Sequence, residues 1–584
     1  MVDRWLVETE LSEKWDFYTR ANVGEVFPDP VAPLSFSYMQ VGNEPGPAEK
    51  GFQRAYIRFG SHAPEEFPAD ACTFLGVTGG YCYLNASAMR LLGHRAPGMT
   101  AADIDYAFFG DAPGVPPFEP VDGDDRPDLT EKIAKTFEWI FSATDLPDVR
   151  AHEEMVNRLR RDRPDLRDLS DRELLDRNLD LFDTYFEDLF AEHIFISACA
   201  TVPIGTISGV CEAVGRPEDT LKLLAGLGDV ESAAPSMAMW DLGRLAADSE
   251  VLGAIFDAGI SDLEDRLRAG TDLPEVAAFV GKFDDFLVEF GSRGPNEWEQ
   301  RCPTWETDPN LALAAIDRMR LSEPTRSPFV HNAERAAERE RLGVEIAGML
   351  DGDPETQGRF LAALHAATVF MPGRERTKTN CVKLIQEGRM GAHELGRRRV
   401  AAGHFHHHTD FALLTRDELV REVDNPGTFT PELREREALF NEVAALQEPF
   451  LFTGGRPDMS TYSRRSAADV ESLAAGAALV GVGGCPGVVR GVARVVLDSH
   501  DPTALAPGDI LVAPITDPSW TPLFVPAEGV VVDVGAPLSH AIIVSRELGI
   551  PCVVSATDAT KRIPDGALIE VDGTTGVVTV IETP

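Results

Sequence analysis

The run Val534-Gly-Ala-Pro-Leu-Ser-His540-Ala-Ile-Ile-Val-Ser-Arg-Glu-Leu-Gly549-Ile-Pro551 admits few local structures. Gly535, Ala536 and Pro537 favour a tight turn, and Ser539 is a good N-cap whose hydroxyl can accept an orphan amide of the first helical turn. Ala541 to Leu548 carries a short helix, Gly549 suits its C-cap, and Pro551 ends it. His540 therefore falls at the first helical position. Free amides and the positive end of the helix dipole point there, so an anion on the imidazole would be stabilised. A neutral histidine near pH 7 is also a nucleophile. A Ser-His pair at a helix start serves equally as a plain cap, and this stretch by itself does not choose between the two.

The flanks suggest a β/α unit around that helix. Val-rich runs include Val488, Val489, Val492, Val495 and Val496, then Gly508-Asp-Ile-Leu-Val-Ala, Gly529-Val-Val-Val-Asp and Pro551-Cys-Val-Val. Such β-branched runs are expected to be strands. Across 584 residues the chain has room for two to four domains, and 43% hydrophobic with 26% charged residues is an ordinary globular balance. A net charge of −41 argues against a nucleic-acid surface and requires any phosphate site to bring its own Arg or Lys. The eight cysteines form no CxxC pair, so neither a zinc site nor a disulfide framework is indicated. No signal-peptide pattern and no uninterrupted membrane-length apolar run is evident, which makes the cytoplasm the expected location.

Along the chain, Trp15 to Tyr38 reads as an ordered loop rich in Pro and Asp. Ala86 to Leu92 reads as a short helix, and Asp111 to Asp128 as an exposed loop. Leu129 to about Gly270 shows helical spacing: Leu174, Leu175, Leu179, Phe182, Phe186 and Leu189 recur every three or four residues. His193 continues that pattern and reads first as a core or helix-face histidine. Phe290-Gly-Ser-Arg293-Gly-Pro-Asn-Glu297 ends another helix in a charged turn, where Arg293 and Glu297 can pair locally. Ala333 to Leu350 is a charged amphipathic helix. Arg374-Glu-Arg-Thr-Lys378 heads a helix toward Arg398, with Arg374 and Lys378 one turn apart on one face. Such a pair can clamp a transferring phosphoryl group or form a solvated basic face. His404 and His406 to His408 suggest a metal, yet consecutive side chains rarely converge on one ion, so no metal site is expected. Phe452 to Gly484, rich in Gly, Ala and Ser, reads as a tether.

Together, the turn around Gly535, Ser539-His540 and the Gly-Ile-Pro exit resemble the phosphohistidine swivelling domain of the phosphoenolpyruvate-utilising enzymes. This group includes pyruvate phosphate dikinase, rifampin phosphotransferase and phenylphosphate synthase. The resemblance covers roughly residues 480–584, with Ala536 where the family usually has a second Gly. The Phe17 to Ser35 segment, the Gly-x-Arg293-Gly-Pro-x-Glu297 stretch and the Arg374-x-x-x-Lys378 pair are similar to the family's rifampin phosphotransferase-like substrate domain. The resemblance implies a multidomain chain: a large, mainly helical substrate domain (1–453), a hinge (454–482) and a compact α/β swivel domain (483–584). It also implies phosphorylation of His540, transfer aided by Arg374 and Lys378, and support from Arg293, Glu297, Ser539 and Gly535.

No Gly-rich phosphate loop of Walker or ATP-grasp type precedes a Lys, and the chain ends soon after Gly573, before any phosphoenolpyruvate-binding barrel. The expectation is therefore a dikinase-type, AMP- and phosphate-forming phosphotransferase subunit, organised like phenylphosphate synthase. A separate ATP-grasp subunit would hold ATP and Mg, and the acceptor would be a small, aromatic hydroxyl compound such as a phenol or benzylic alcohol. The alternatives are a phosphohistidine carrier or regulatory protein, or a degenerate ligand-binding protein without turnover.

Overall fold

The computed structural model describes residues 5–39, 45–69, 71–109, 114–227, 234–324, 327–465, 471–497, 505–516, 520–535 and 539–584. The chain folds as two compact units. The first comprises Met1–Val202, Trp298–Cys302 and Arg376–Asp469, and the second Pro203–Glu297, Pro303–Glu375 and Val470–Pro584. A large helical region precedes a C-terminal α/β sheet, the fold class expected. The expected boundary at 453 falls inside the first unit, and 203–297 and 303–375 group with the C-terminal residues.

In the first unit a four-stranded antiparallel sheet is formed by β1 (Tyr18–Thr19), β2 (Leu75–Thr78), β3 (Tyr81–Asn85) and β4 (Leu451–Phe452), in the order β2-β3-β1-β4. The segment read as a loop from Trp15 to Tyr38 thus contributes a strand, and it also forms the helices Val23–Val26 and Pro33–Met39. Arg20 holds this segment: its guanidinium donates to the Cys82 and Phe27 carbonyls at 2.8 and 2.7 Å. The Ala86 helix extends to Arg95 and is capped by the Asn85 side chain, which accepts from Ala88 N.

A capping box, Ser170 with Glu173, starts the helix Asp171–Leu181. A π turn at Phe182–Phe186 carries it into Glu187–Ala213, which contains Pro203. Contrary to expectation, this joined helix is long and apolar enough to cross a membrane by length and composition. Its most apolar window has mean hydropathy 1.8, and half of that window is buried inside the protein. Arg374 does not head a helix either: Pro354–Ala401 is a single helix that runs through Pro372. Proline removes one interior hydrogen bond at a cost of about 3 kcal/mol, so packing must hold this helix together. In the first unit it packs tightly. A Cβ on Gly388 would meet the Phe182 ring at 2.5 Å, and one on Gly391 would meet Asn178 Oδ1 at 2.4 Å. Glu387, buried on the same helix, lies 2.6 Å from Arg177, 3.5 Å from Arg160 and 3.6 Å from Arg163.

The C-terminal sheet has eight strands: β5 (Ala478–Val480), β6 (Val482–Cys485), β7 (Val488–Val495), β8 (Ile510–Ala513), β9 (Gly529–Val532), β10 (Cys552–Val554), β11 (Leu568–Asp572) and β12 (Val577–Glu582). The order is β5-β12-β11-β7-β8-β9-β10-β6, with β7 to β10 mutually parallel. β5 lies within the segment read as a tether and pairs with β12. Both faces are covered, as a parallel sheet requires. Along β8, Leu511 and Ala513 join one apolar cluster, and Ile510 and Val512 join the other.

Candidate active site

β9 ends at Val532, and the chain reaches the helix α1 (His540–Leu548) by a loop whose residues 536–538 lie outside the described residues. The expected turn through Ala536 and Pro537 therefore falls there. Ala541, Ile542, Val544 and Leu548 bury one face of α1 with Leu511, Val530, Val532 and Val554 of the sheet, which fixes the helix and the direction of its N-terminus. At the C-terminus Gly549 is left-handed, φ 70°, and Ile550 N donates to Ser545 O at 2.9 Å, closing a Schellman turn. His540 occupies the first helical position, as expected.

Ser539 has the backbone of an N-cap but makes no side-chain cap bond, which corrects one expectation. Its buried Oγ is turned toward Gly535, where an added Cβ would come within 3.2 Å of it and within 2.8 Å of Val554 Cβ. Gly535 is thus required by close approach, and the Ser555 hydroxyl donates to its carbonyl.

His540 is 6% exposed. Its Nε2 lies 3.2 Å from Thr521 Oγ1 and its Nδ1 3.3 Å from Thr516 Oγ1, while Phe524 meets the ring edge-on at 5.9 Å. Both threonines follow β8 and His540 follows the adjacent parallel strand β9. The site is therefore built at neighbouring strand carboxyl ends, where open parallel sheets place their ligands. Thr516 and Thr521 are not among the expected site residues; their position after a strand parallel to the one that feeds His540 is the signal that marks them.

Asp533 closes β9 at the entrance to this loop. Its carboxylate accepts from Thr560 N at 2.8 Å and from the Thr560 hydroxyl. Burial raises its pKa from the ordinary 3.8 to about 6. The folded state thus holds a proton that the unfolded chain releases, so this contribution to stability is complete below about pH 4 and lost as pH rises through about 6. Asp533→Asn keeps an acceptor for Thr560 without a charge to bury. It is expected to be on the order of 1–2 kcal/mol more stable than wild type above that window and equal below it, by denaturant titration at both pH values. A pH-independent difference would refute the assignment.

In the first unit, the helix Pro47–Phe59, strands β2 and β3, the Phe17 to Ser35 segment and the helix Glu187–Ala213 enclose a cavity of about 90 Å³. Its wall is largely aliphatic and aromatic: Val23, Val26, Leu75, Leu84 and Ile194 with Phe27, Phe36, Phe52, Phe190 and Trp298. Thr9, Asn22, Cys82 and His193 add the polar atoms. Thr9 Oγ1 accepts from Val77 N at 3.1 Å, and burial pushes the Cys82 thiol up to about 12, which keeps it protonated. His193, read from sequence as a core residue, stands on this wall half-buried, with Nδ1 3.2 Å from Thr377 Oγ1.

The remaining expected site residues are distributed as follows. Arg374 and Lys378 lie one turn apart within Pro354–Ala401, and Arg374 Nη1 bonds Glu375 Oε1 at 2.6 Å. Lys378 belongs to the cavity's unit but is not among the described residues lining it. Arg293 and Glu297 are buried as a mutual ion pair of 2.7 Å, the local pairing that pins their turn, and the next residue, Trp298, lines the cavity. In the histidine loop, the His406 and His407 amides donate to Asp410, Arg434 donates to the His406 ring, and His408 packs on His393 at 4.0 Å. Among the described residues no group of three His, Cys, Asp or Glu could hold a metal.

Residues 193–375 match the rifampicin phosphotransferase fourth domain, and residues 505–576 match the mobile domain of PEP-utilising enzymes. The prodigiosin synthesizing transferase PigC of Serratia marcescens is 27% identical over 98% of this chain and 64% of its own length. Rifampicin phosphotransferases of Streptomyces sviceus and Bacillus subtilis are 30% and 29% identical over 56% and 52% of this chain. The chain spans 37% and 36% of those two relatives. Residues 505–576 thus match the mobile domain of PEP-utilising enzymes around a histidine held at a helix start, with the rifampicin phosphotransferase fourth domain matched before it.

Proposed function

We propose that this chain is a phosphotransferase component in which His540 accepts a phosphoryl group and passes it to the hydroxyl of a small aromatic compound. The observation that carries the reading is His540 itself. Its imidazole is fixed at the first residue of α1, with a threonine hydroxyl beside each ring nitrogen. A phosphoryl group bonded there would face the amides and positive dipole end of that helix. Arg374 and Lys378 are assigned to charge stabilisation during transfer. Arg293 and Glu297 are assigned to supporting the substrate side through their turn.

The cavity supports the acceptor class: its aromatic and aliphatic wall suits a phenol or benzylic alcohol and offers few polar partners. ATP and Mg are assigned to a separate ATP-grasp subunit, with AMP and phosphate as co-products, in a cytoplasmic setting. Ligand sequestration without transfer shares the same cavity and is the second reading. The test is a coupled AMP-release assay on the purified chain, alone and with an ATP-grasp partner, across phenols and benzylic alcohols. Acceptor-dependent AMP release only in the presence of the partner is the expected result. Robust release by the chain alone would refute the two-subunit assignment, and phenol binding without label transfer would favour sequestration.

A further inference from the structure

His193 is the one histidine among the described residues on the cavity wall, and an imidazole is the side chain most used as a general base. It shares a helix face with Phe190 and Ile194, both of which line the same cavity, and its ring packs against Phe190 and Trp298 at 6.3 and 6.1 Å. The imidazole is also oriented. Nδ1 lies 3.2 Å from the hydroxyl of buried Thr377, the residue before Lys378. In the tautomer whose Nδ1–H donates to this hydroxyl, Nε2 is the basic nitrogen. A histidine that merely filled the core would not need a place on the wall of an apolar cavity. The histidine loop offers no rival, because none of its residues is among the described lining of the cavity.

We infer that His193 is the general base that takes the acceptor's hydroxyl proton, with Thr377 as its positioning residue. This rests on the transfer reading above. In the step, the acceptor oxygen bonds to phosphorus as the N–P bond to His540 breaks. That bond's electron pair stays on the His540 ring, which takes up one proton from water to leave as neutral imidazole, while the hydroxyl proton passes to His193 and His193 then releases it to water.

The experiment uses the full chain, phosphorylated on His540 with labelled phosphate, and follows discharge to two acceptors. Phenol needs a base; 4-nitrophenol in mildly alkaline buffer is already a phenolate. His193→Gln should load normally, slow discharge to phenol by about 10²-fold or more, and leave discharge to 4-nitrophenol at the wild-type rate. Added imidazole should restore phenol discharge in His193→Ala. Thr377→Val, which keeps the base but releases its ring, should slow phenol discharge alone and carries the test if the His193 variants fail to fold. Equal discharge to phenol by wild type and His193→Gln, or equal slowing with both phenols, would overturn the role of His193. Failure of the wild-type chain to discharge to either phenol would overturn the transfer reading, and this inference with it.

Discussion

His540→Ala is expected to abolish uptake of acid-labile phosphate label from ATP and the ATP-grasp partner. Phosphoramidates are lost in acid and survive base, so paired acid and base treatment separates phosphohistidine from phosphoserine or phosphothreonine. That control is needed here, because Thr516 and Thr521 flank the ring and Ser539 precedes it in the chain. The expected loss is complete. No neighbouring hydroxyl replaces a neutral imidazole as nucleophile near pH 7. The fold should tolerate the change, because α1 is anchored by Ala541, Ile542, Val544 and Leu548 on its buried face rather than by His540. The 6% exposure of the imidazole adds a second expectation: loading requires the ring to become accessible, so label uptake should depend on the partner and not on free phosphoryl donors. Acid-labile label retained at the wild-type level in His540→Ala would refute the assignment.

What could be read from the sequence around His540 was local. A capping position, a left-handed C-cap glycine and a proline exit are decided within a few residues, and the helix falls at the expected place. The same local reasoning failed where distant partners decide. Ser539 was expected to cap through its hydroxyl, but the approach of Gly535 to Val554 leaves Oγ directed elsewhere. Ala478–Val480 reads as tether by composition and becomes a strand because β12 is there to pair with it. Pro372 should break a helix, yet Pro354–Ala401 continues through it; on the first-unit part of that helix, Gly388, Gly391 and Glu387 are matched to Phe182, Asn178 and three arginines.

The cavity was the least legible feature. Its wall draws on Thr9, on the segment after Phe17, on β2 and β3, on His193 and on Trp298, and no spacing rule links positions so far apart. His193 looked like one more core position because its helix is apolar at nearly every turn. Only the tertiary arrangement distinguishes a wall from a core.

Lys378→Ala is expected to leave labelling of His540 intact and to slow discharge to the acceptor by at least about 10²-fold, roughly 3 kcal/mol of transition-state stabilisation. During transfer, charge accumulates on the phosphoryl oxygens, and a fixed cation that meets it there acts on the transition state more than on either end state. Arg374→Ala should act in the same direction. Its guanidinium pairs with Glu375 at 2.6 Å. Lys378→Arg should recover only part of the rate, since a planar fork does not reproduce a compact ammonium. The measurement is single-turnover discharge of the pre-labelled chain, which separates this step from loading. Wild-type discharge in Lys378→Ala would remove the basic pair from the mechanism, and a defect in loading instead would move Lys378 to the donor half of the reaction.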